Sequence, residues 1–149
     1  MMNIHLYMKN ILFIIHMPPP VHGVSVINKN IYNSNAINNN FNCDFVNLST
    51  SQHINEIGNL SLKKIYRIFH IIRNVYQLIK KKDHDLVYMT LSPTGSGFFK
   101  DSLVVLILKI FNKKIIFHLH GKGLKTYYKK SNLLVKKYYQ FIFKNVSII

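Results

Sequence analysis

The sequence predicts an α/β domain, a Rossmann-like doubly wound parallel sheet with helices on both faces. Three observations predict it. Short apolar runs without polar alternation recur along the chain, as in strands buried on both sides. Segments with apolar residues at spacings of three and four separate them. Turn-forming loops rich in Gly, Pro and Ser fall after strands and before helices. A length of 149 residues suits one domain with a real core.

Lys9–His16 reads as a continuous apolar strand, ended by Pro18, Pro19 and Pro20. Gly23 to about Ile37 reads as one helix with Val24, Ile27 and Ile31 on one side, weakened toward its end by asparagines. Phe41–Leu48 is the second strand, and a polar loop over 49–59 follows. Leu60–Lys82 carries the clearest helical period, with Leu62, Ile65, Ile68, Phe69, Ile72, Val75, Tyr76 and Ile79 returning at three and four. Lys80, Lys81 and Lys82 close it at the negative end of the helix dipole. Asp85–Leu91 is the third strand and "SPTGSG", 92–97, a turn-rich loop. Phe98–Phe111 is a helix apolar nearly all round, hence expected to be buried. Lys114–Leu119 is the fourth strand, followed by the loop "HGKG", 120–123. Lys125–Asn145 reads as one amphipathic helix with Leu133, Leu134, Tyr138, Phe141 and Ile142 inward. The closing "VSII" opens a fifth strand, so the chain is expected to be a truncated product or the front part of a longer protein.

Apolar residues make up 48% of the chain, a globular and not a disordered composition. The net charge of +15 fits nucleic acid, an anionic membrane surface or an acidic ligand. A codon bias toward Asn, Ile and Lys explains the same excess. The arginines are Arg67 and Arg73 alone, which argues against nucleic acid, where Arg makes bidentate base contacts. Cys43 is the single cysteine, so neither an internal disulfide nor a cysteine-based zinc site is possible. It reads as a small apolar residue near a strand, consistent with a cytosolic setting. Ile11–Ile15 is short for the apolar core of a signal peptide, and no small-residue cleavage site follows. The apolar run 103–111 falls short of the ~20 residues of a membrane span and contains Lys109.

In an open parallel sheet, ligands bind beyond the carboxyl ends of the strands. Three glycine-bearing loops fall there: "MPPPVHG" at 17–23, "SPTGSG" at 92–97 and "HGKG" at 120–123. Each precedes a helix, whose N-terminus offers free N–H groups and a partial positive charge suited to phosphate. The first loop is neither G-x-G-x-x-G nor a P-loop, and Gly121–Gly123 is too short for one, which disfavours a dinucleotide dehydrogenase and an NTPase. His5, His53, His70 and His84 show no metal-ligand pairing and read as surface or packing residues.

"PPPVHGVS" at 18–25, "VYMTLSPTGSGFFKD" at 87–101 and "KKIIFHLHGKG" at 113–123 occur in a telling order and spacing. Together they resemble the N-terminal half of family 4 glycosyltransferases of GT-B fold, over nearly the whole chain. The resemblance implies that residues 1–149 form the acceptor-side domain. Such enzymes move a sugar from a nucleotide-sugar to a glycan or lipid-linked acceptor, with retention, without metal or other cofactor, as in surface polysaccharide synthesis. Donor binding is then expected at His22, Gly23 and Gly121, the loop Pro19–Gly23 approaching the diphosphate. His22 stands where the family has the first of two glycines, so a side-chain contact is expected in place of a close backbone approach. His120 is expected to be the catalytic histidine, beside the transferred sugar. His118 is assigned to the opposite face by strand alternation, or to the core. Ser92, Thr94, Gly95 and Ser96 are expected to form acceptor-side surface, with Lys122 meeting an anionic group of the acceptor.

The family's acidic donor-binding pair and its basic diphosphate clamp belong to a second domain, so the isolated chain is expected to be inactive or nearly so. The lysine-rich helices at 63–82 and 125–144 are expected to hold the domain at the cytoplasmic, anionic face of a membrane, with no nucleic acid as partner. The competing reading is a non-enzymatic basic module for polyanion or nucleic acid, marked by steep salt dependence.

Overall fold

The computed structural model describes residues 8–51, 53, 61–121 and 123–149. Lys122, His5 and most of the polar loop before residue 61 lie outside the described residues. The strands are β1 (Asn10–Ile15), β2 (Asn42–Asn47), β3 (Leu86–Leu91), β4 (Ile115–Leu119) and β5 (Ser147–Ile148). The helices are α1 (Gly23–Tyr32), α2 (Asn35–Asn40), α3 (Leu62–Lys81), α4 (Gly95–Ile110), α5 (Leu124–Lys130) and α6 (Leu133–Phe143).

The strands form one parallel sheet in the order β2-β1-β3-β4-β5. This is the doubly wound α/β architecture that the unalternating apolar strands predict. The chain leaves β1 in one direction to reach β2, then doubles back to β3. Right-handed crossovers in opposite directions place the connecting helices on opposite faces. Successive residues of β1 therefore serve two cores. Ile11, Phe13 and Ile15 pack with Ile31, Ile37 and Phe41 on one face. Leu12 and Ile14 join the larger core on the other, against Val75 and Ile79 of α3, Val104 and Leu108 of α4, and Tyr139 and Ile142 of α6. Phe13 stacks on Phe45 at 4.9 Å and tilts against Tyr88 at 5.3 Å, so the aromatic side chains reinforce the register of all three strands.

Two long predicted helices are each two helices. The first breaks at Asn33 and Ser34, where Ser34 Oγ accepts from Ile37 N and caps α2. The last breaks at Ser131 and Asn132, where Asn132 Oδ1 accepts from Val135 N at 2.9 Å and caps α6. Helix α4 begins at Gly95, not Phe98.

The inward faces also differ from expectation. Helix α1 buries Ser25 and Asn28, not Ile27, because both polar side chains find backbone partners below. In α6, Tyr139 and Ile142 are buried while Leu133, Leu134 and Phe141 are exposed. In α3, Ile71, Val75 and Ile79 are buried and Leu62, Ile65, Tyr66 and Phe69 are exposed. These helices are apolar over more than one stripe, so period alone does not say which stripe meets the sheet. Leu103 and Ile110 of α4, expected to be buried, are likewise exposed. No helix among the described residues is long and apolar enough to cross a membrane.

A candidate ligand cleft at the strand ends

The sheet order reverses between β1 and β3, and open α/β sheets bind ligands at such a switch point. A cleft of about 470 Å³ lies there. Three of its walls come from the residues that follow β1, β3 and β4.

The first wall starts at His16, whose backbone is held from two sides. Its N–H donates to Thr90 Oγ1 at 3.2 Å, and its carbonyl accepts from Asn28 Nδ2 at 3.0 Å. Asn28 also donates to Thr90 Oγ1, so α1, β1 and β3 meet in one hydrogen-bonded knot. Pro18, Pro19 and Pro20 end the strand, and Ser25 Oγ donates to Pro20 O at 2.9 Å. His22 then caps α1: its Nδ1 accepts from Ser25 N at 3.3 Å, and Ser25 Oγ accepts from His22 N at 2.9 Å. With Nδ1 accepting, the neutral ring carries its proton on Nε2. Burial, and then the nearby His16, lower the pKa of His22 and favour that neutral form.

The second wall is the loop after β3. Ser92 N donates to Asp101 Oδ2 at 2.9 Å, and Pro93 O accepts from Tyr139 OH at 3.1 Å. Burial, and then Tyr127, push the Tyr139 phenol up to about 12, so it remains a donor. Thr94 occupies the N-cap of α4 but makes no side-chain cap bond. Gly95, Ser96 and Gly97 therefore bring uncapped first-turn N–H groups to the cleft wall. A Cβ at Gly97 would lie 3.0 Å from Ser92 Cβ. Gly97→Ala is expected to displace this loop and to cost about 1–3 kcal/mol, measured by urea unfolding. A loss within experimental error would show that the loop yields freely.

The third wall is His120, just past β4. Its Nε2 is buried and has no partner among the described residues. Burial, and then His118 and His16, lower its pKa, so the ring is neutral near pH 7. His118 does not face away from it. Residues two apart on a strand share a face, and the two rings stack at 3.9 Å. Tyr88 OH is hydrogen-bonded to His118 Nδ1, which ties this pair to β3.

Of the residues singled out in the sequence, His22, Ser92, Thr94, Gly95, Ser96 and His120 line this one cleft. Gly23 opens α1 beside it, and Gly121 follows His120 with φ +117°, a conformation that glycine adopts readily. Neither lines the cleft, and Lys122 lies outside the described residues. Among the other histidines, His84 is buried and its Nε2 lies 2.9 Å from Asp44 Oδ2, while His53 and His70 are exposed.

The structure adds a group that motif reading missed. Asp101 of α4 is fully buried. Besides Ser92 N, its Oδ2 meets His16 Nε2 at 3.3 Å. Lys100 Nζ lies 2.9 Å from Oδ1 as a charge contact outside hydrogen-bond alignment. Burial pushes the carboxyl up, but Lys100 and His16 more than reverse this and hold it well below the usual carboxylate range. The available signal was the single acid of a mostly apolar helix, in a chain with five acidic residues.

Comparison with protein-family models, with curated proteins and with solved structures finds no match to this chain. The cleft's own geometry is therefore what bears on function.

Proposed function

We propose that the chain is the acceptor-side domain of a retaining glycosyltransferase of the family 4 type, which draws its sugar from a nucleotide-sugar. The observation that carries this reading is the convergence of His22, the 92–97 loop and His120 on one cleft at the switch point. The cleft suits a sugar bearing phosphate. Its walls combine apolar surface from Pro20, Val24, Ile68 and Leu91 with the uncapped N-terminus of α4 and two neutral imidazoles. His120 lines the cleft with a buried Nε2 that has no partner among the described residues, and this supports the reading, since an unpaired buried polar atom carries a cost that a ligand hydroxyl reaching it would remove. In this reading the His22 Nε2–H and the first turn of α4 donate to phosphate oxygens. In this reading His120 acts beside the transferred sugar, and developing charge on the departing diphosphate needs cations supplied by a donor-side domain.

The test is saturation-transfer NMR of the chain with a panel of nucleotide-sugars, monosaccharides and disaccharides. At least one is expected to bind in the millimolar range or better, and His120→Ala is expected to abolish its signal without changing the melting temperature. No binding across the panel at millimolar concentration would contradict the reading.

In this proposal the domain also docks on the anionic cytoplasmic face of a membrane. The exposed Leu62, Ile65, Tyr66 and Phe69 of α3, with Lys63 and Arg73 exposed beside them, support it. Co-sedimentation with anionic vesicles is expected, weakened by salt and by Phe69→Asp. Binding indifferent to lipid charge would contradict it.

A further inference from the structure

We infer that the β2-side end of the cleft is a phosphate site, formed by Thr50, Lys64 and Lys100, and that it selects an acceptor bearing a phosphate group. The acceptor assignment rests on the glycosyl-transfer reading above. The site itself lies outside the three loop motifs.

This end is the fourth wall of the cleft, where the residues after β2 meet α3 and α4. The backbone there is held from three directions. Leu48 O accepts from Lys100 Nζ at 2.9 Å, and Thr50 O accepts from Arg67 Nη1 at 2.6 Å. Ser49 Oγ donates to Met17 O at 2.7 Å. Both loop carbonyls are thus engaged by protein cations, which lowers their repulsion of an anion.

Three donors line the cleft beside this loop. Thr50 is 8% exposed, and its hydroxyl has no hydrogen-bond partner among the described residues. An unpaired hydroxyl on a buried residue carries a cost that a ligand oxygen removes. Lys64 is also 8% exposed and lines the same wall. Lys100 has its side chain 17% exposed. It places one N–H on Leu48 O and sits in front of Asp101, and an ammonium has three donors in all. No acidic side chain is among the described residues that line the cleft. The donors come from three elements: the loop after β2, α3 and α4. That suits a phosphate, which lysine binds as a point charge, better than a flat carboxylate, which arginine grips in a planar fork.

The position assigns this phosphate to the acceptor. Thr50 follows β2 and His120 follows β4, with β1 and β3 between them. Three strand spacings put the two ends about 14 Å apart. The donor diphosphate belongs, in the reading above, to His22 and the first turn of α4. The β2 end lies one strand further from His120 than His22 does. An acceptor whose phosphate rests on Thr50 and Lys64 can therefore extend along the cleft toward His120.

The experiment has two arms on the 149-residue chain, both at fixed ionic strength. In the first, inorganic phosphate is titrated in and followed by NMR. Shifts are expected at Thr50, Lys64 and Lys100. Lys64→Met and Thr50→Val are expected to weaken phosphate at least about tenfold at an unchanged melting temperature. Thr50→Ser, which keeps the hydroxyl, and Lys63→Met, on the exposed side of α3, are expected to bind as wild type does. Phosphate binding that ignores both cleft variants, or that falls as far in Lys63→Met, reflects diffuse surface charge and overturns the proposal. The second arm compares methyl glucoside with glucose 1-phosphate and dihexanoyl phosphatidate, which carry phosphate on a sugar and on a lipid. At least one of the two phosphates is expected to bind about tenfold or more tighter than the glucoside, and Lys64→Met is expected to erase the difference. The tighter of the two names the carrier. The tightest-binding nucleotide-sugar of the panel is expected to bind Lys64→Met as it binds wild type. An equal loss there assigns the site to the donor diphosphate and overturns the proposal. If no saccharide or nucleotide-sugar binds, the glycosyl-transfer reading fails on its own account, and the inorganic phosphate arm still decides the site.

Discussion

Asp101→Ala is expected to destabilise the domain by about 3–5 kcal/mol, one of the two largest losses from any single change around the cleft. The carboxylate is fully buried, and its removal orphans the groups that it serves. Ser92 N loses its acceptor, His16 loses the partner of Nε2, and the half-buried Lys100 loses its counter-charge. Removing one member of a buried charge set costs far more than the net worth of the set, because the partners stay buried and unpaired. Urea unfolding at pH 7 measures the loss, and a value under about 1 kcal/mol would show that the network carries little.

The same group predicts the sign of the pH dependence. The native pKa of Asp101 lies below its unfolded value near 3.9. Its contribution is therefore complete above about pH 4 and is lost as pH falls through the lower native value. The native pKa values of His22 and His120 are lowered from about 6.5. The unfolded chain then binds those protons first, so stability already declines as pH falls below about 6.5. Wild type is expected to lose stability in both windows. Asp101→Ala is expected to keep the first decline and to show a shallower second one.

Phe98→Ala is the other large effect, expected at about 3–5 kcal/mol. Phe98 is fully buried in the first turn of α4 and stacks on Tyr139 at 3.8 Å. The void would lie against the ring whose hydroxyl holds Pro93 O. The loss should therefore reach the cleft without any direct contact with a ligand. Hydrogen exchange across 92–97 should quicken and saccharide binding should weaken. Phe99, which is 38% exposed, is the control, with an expected cost under about 1 kcal/mol. Equal losses at the two positions would refute this account of how the loop is held.

The sheet was legible in the sequence because its strands are buried on both faces and cannot alternate. Their order also makes the cleft legible, since loops after β1, β3 and β4 must share one end of a parallel sheet. The helix faces were not legible. Ser25 and Asn28 point inward because Pro20 O and His16 O await them, a fact of tertiary geometry that no apolar period encodes. The two helix breaks were visible only as Asn and Ser residues, which cap as readily as they weaken a helix. His118 and His120 stand two residues apart, so strand alternation puts them on one face, not on opposite faces, and their rings stack. The His16–Asp101 pair spans 85 positions and became visible only when β1 and α4 were brought together.

The triple proline first looks like a strand terminator. In the fold it delivers His22 to the N-cap of α1, where Nδ1 is already engaged. Any contact from this histidine to phosphate must then use Nε2.

The central claim is that one sugar-binding cleft lies at the β1/β3 switch point. Backbone and histidine NMR shifts, followed while the tightest-binding sugar or nucleotide-sugar of the panel is added, test it most directly. The account predicts shifts confined to His16, His22, the 92–97 loop and His120. Shifts gathered instead on the outer faces of α3 and α6, with the cleft silent, would contradict it.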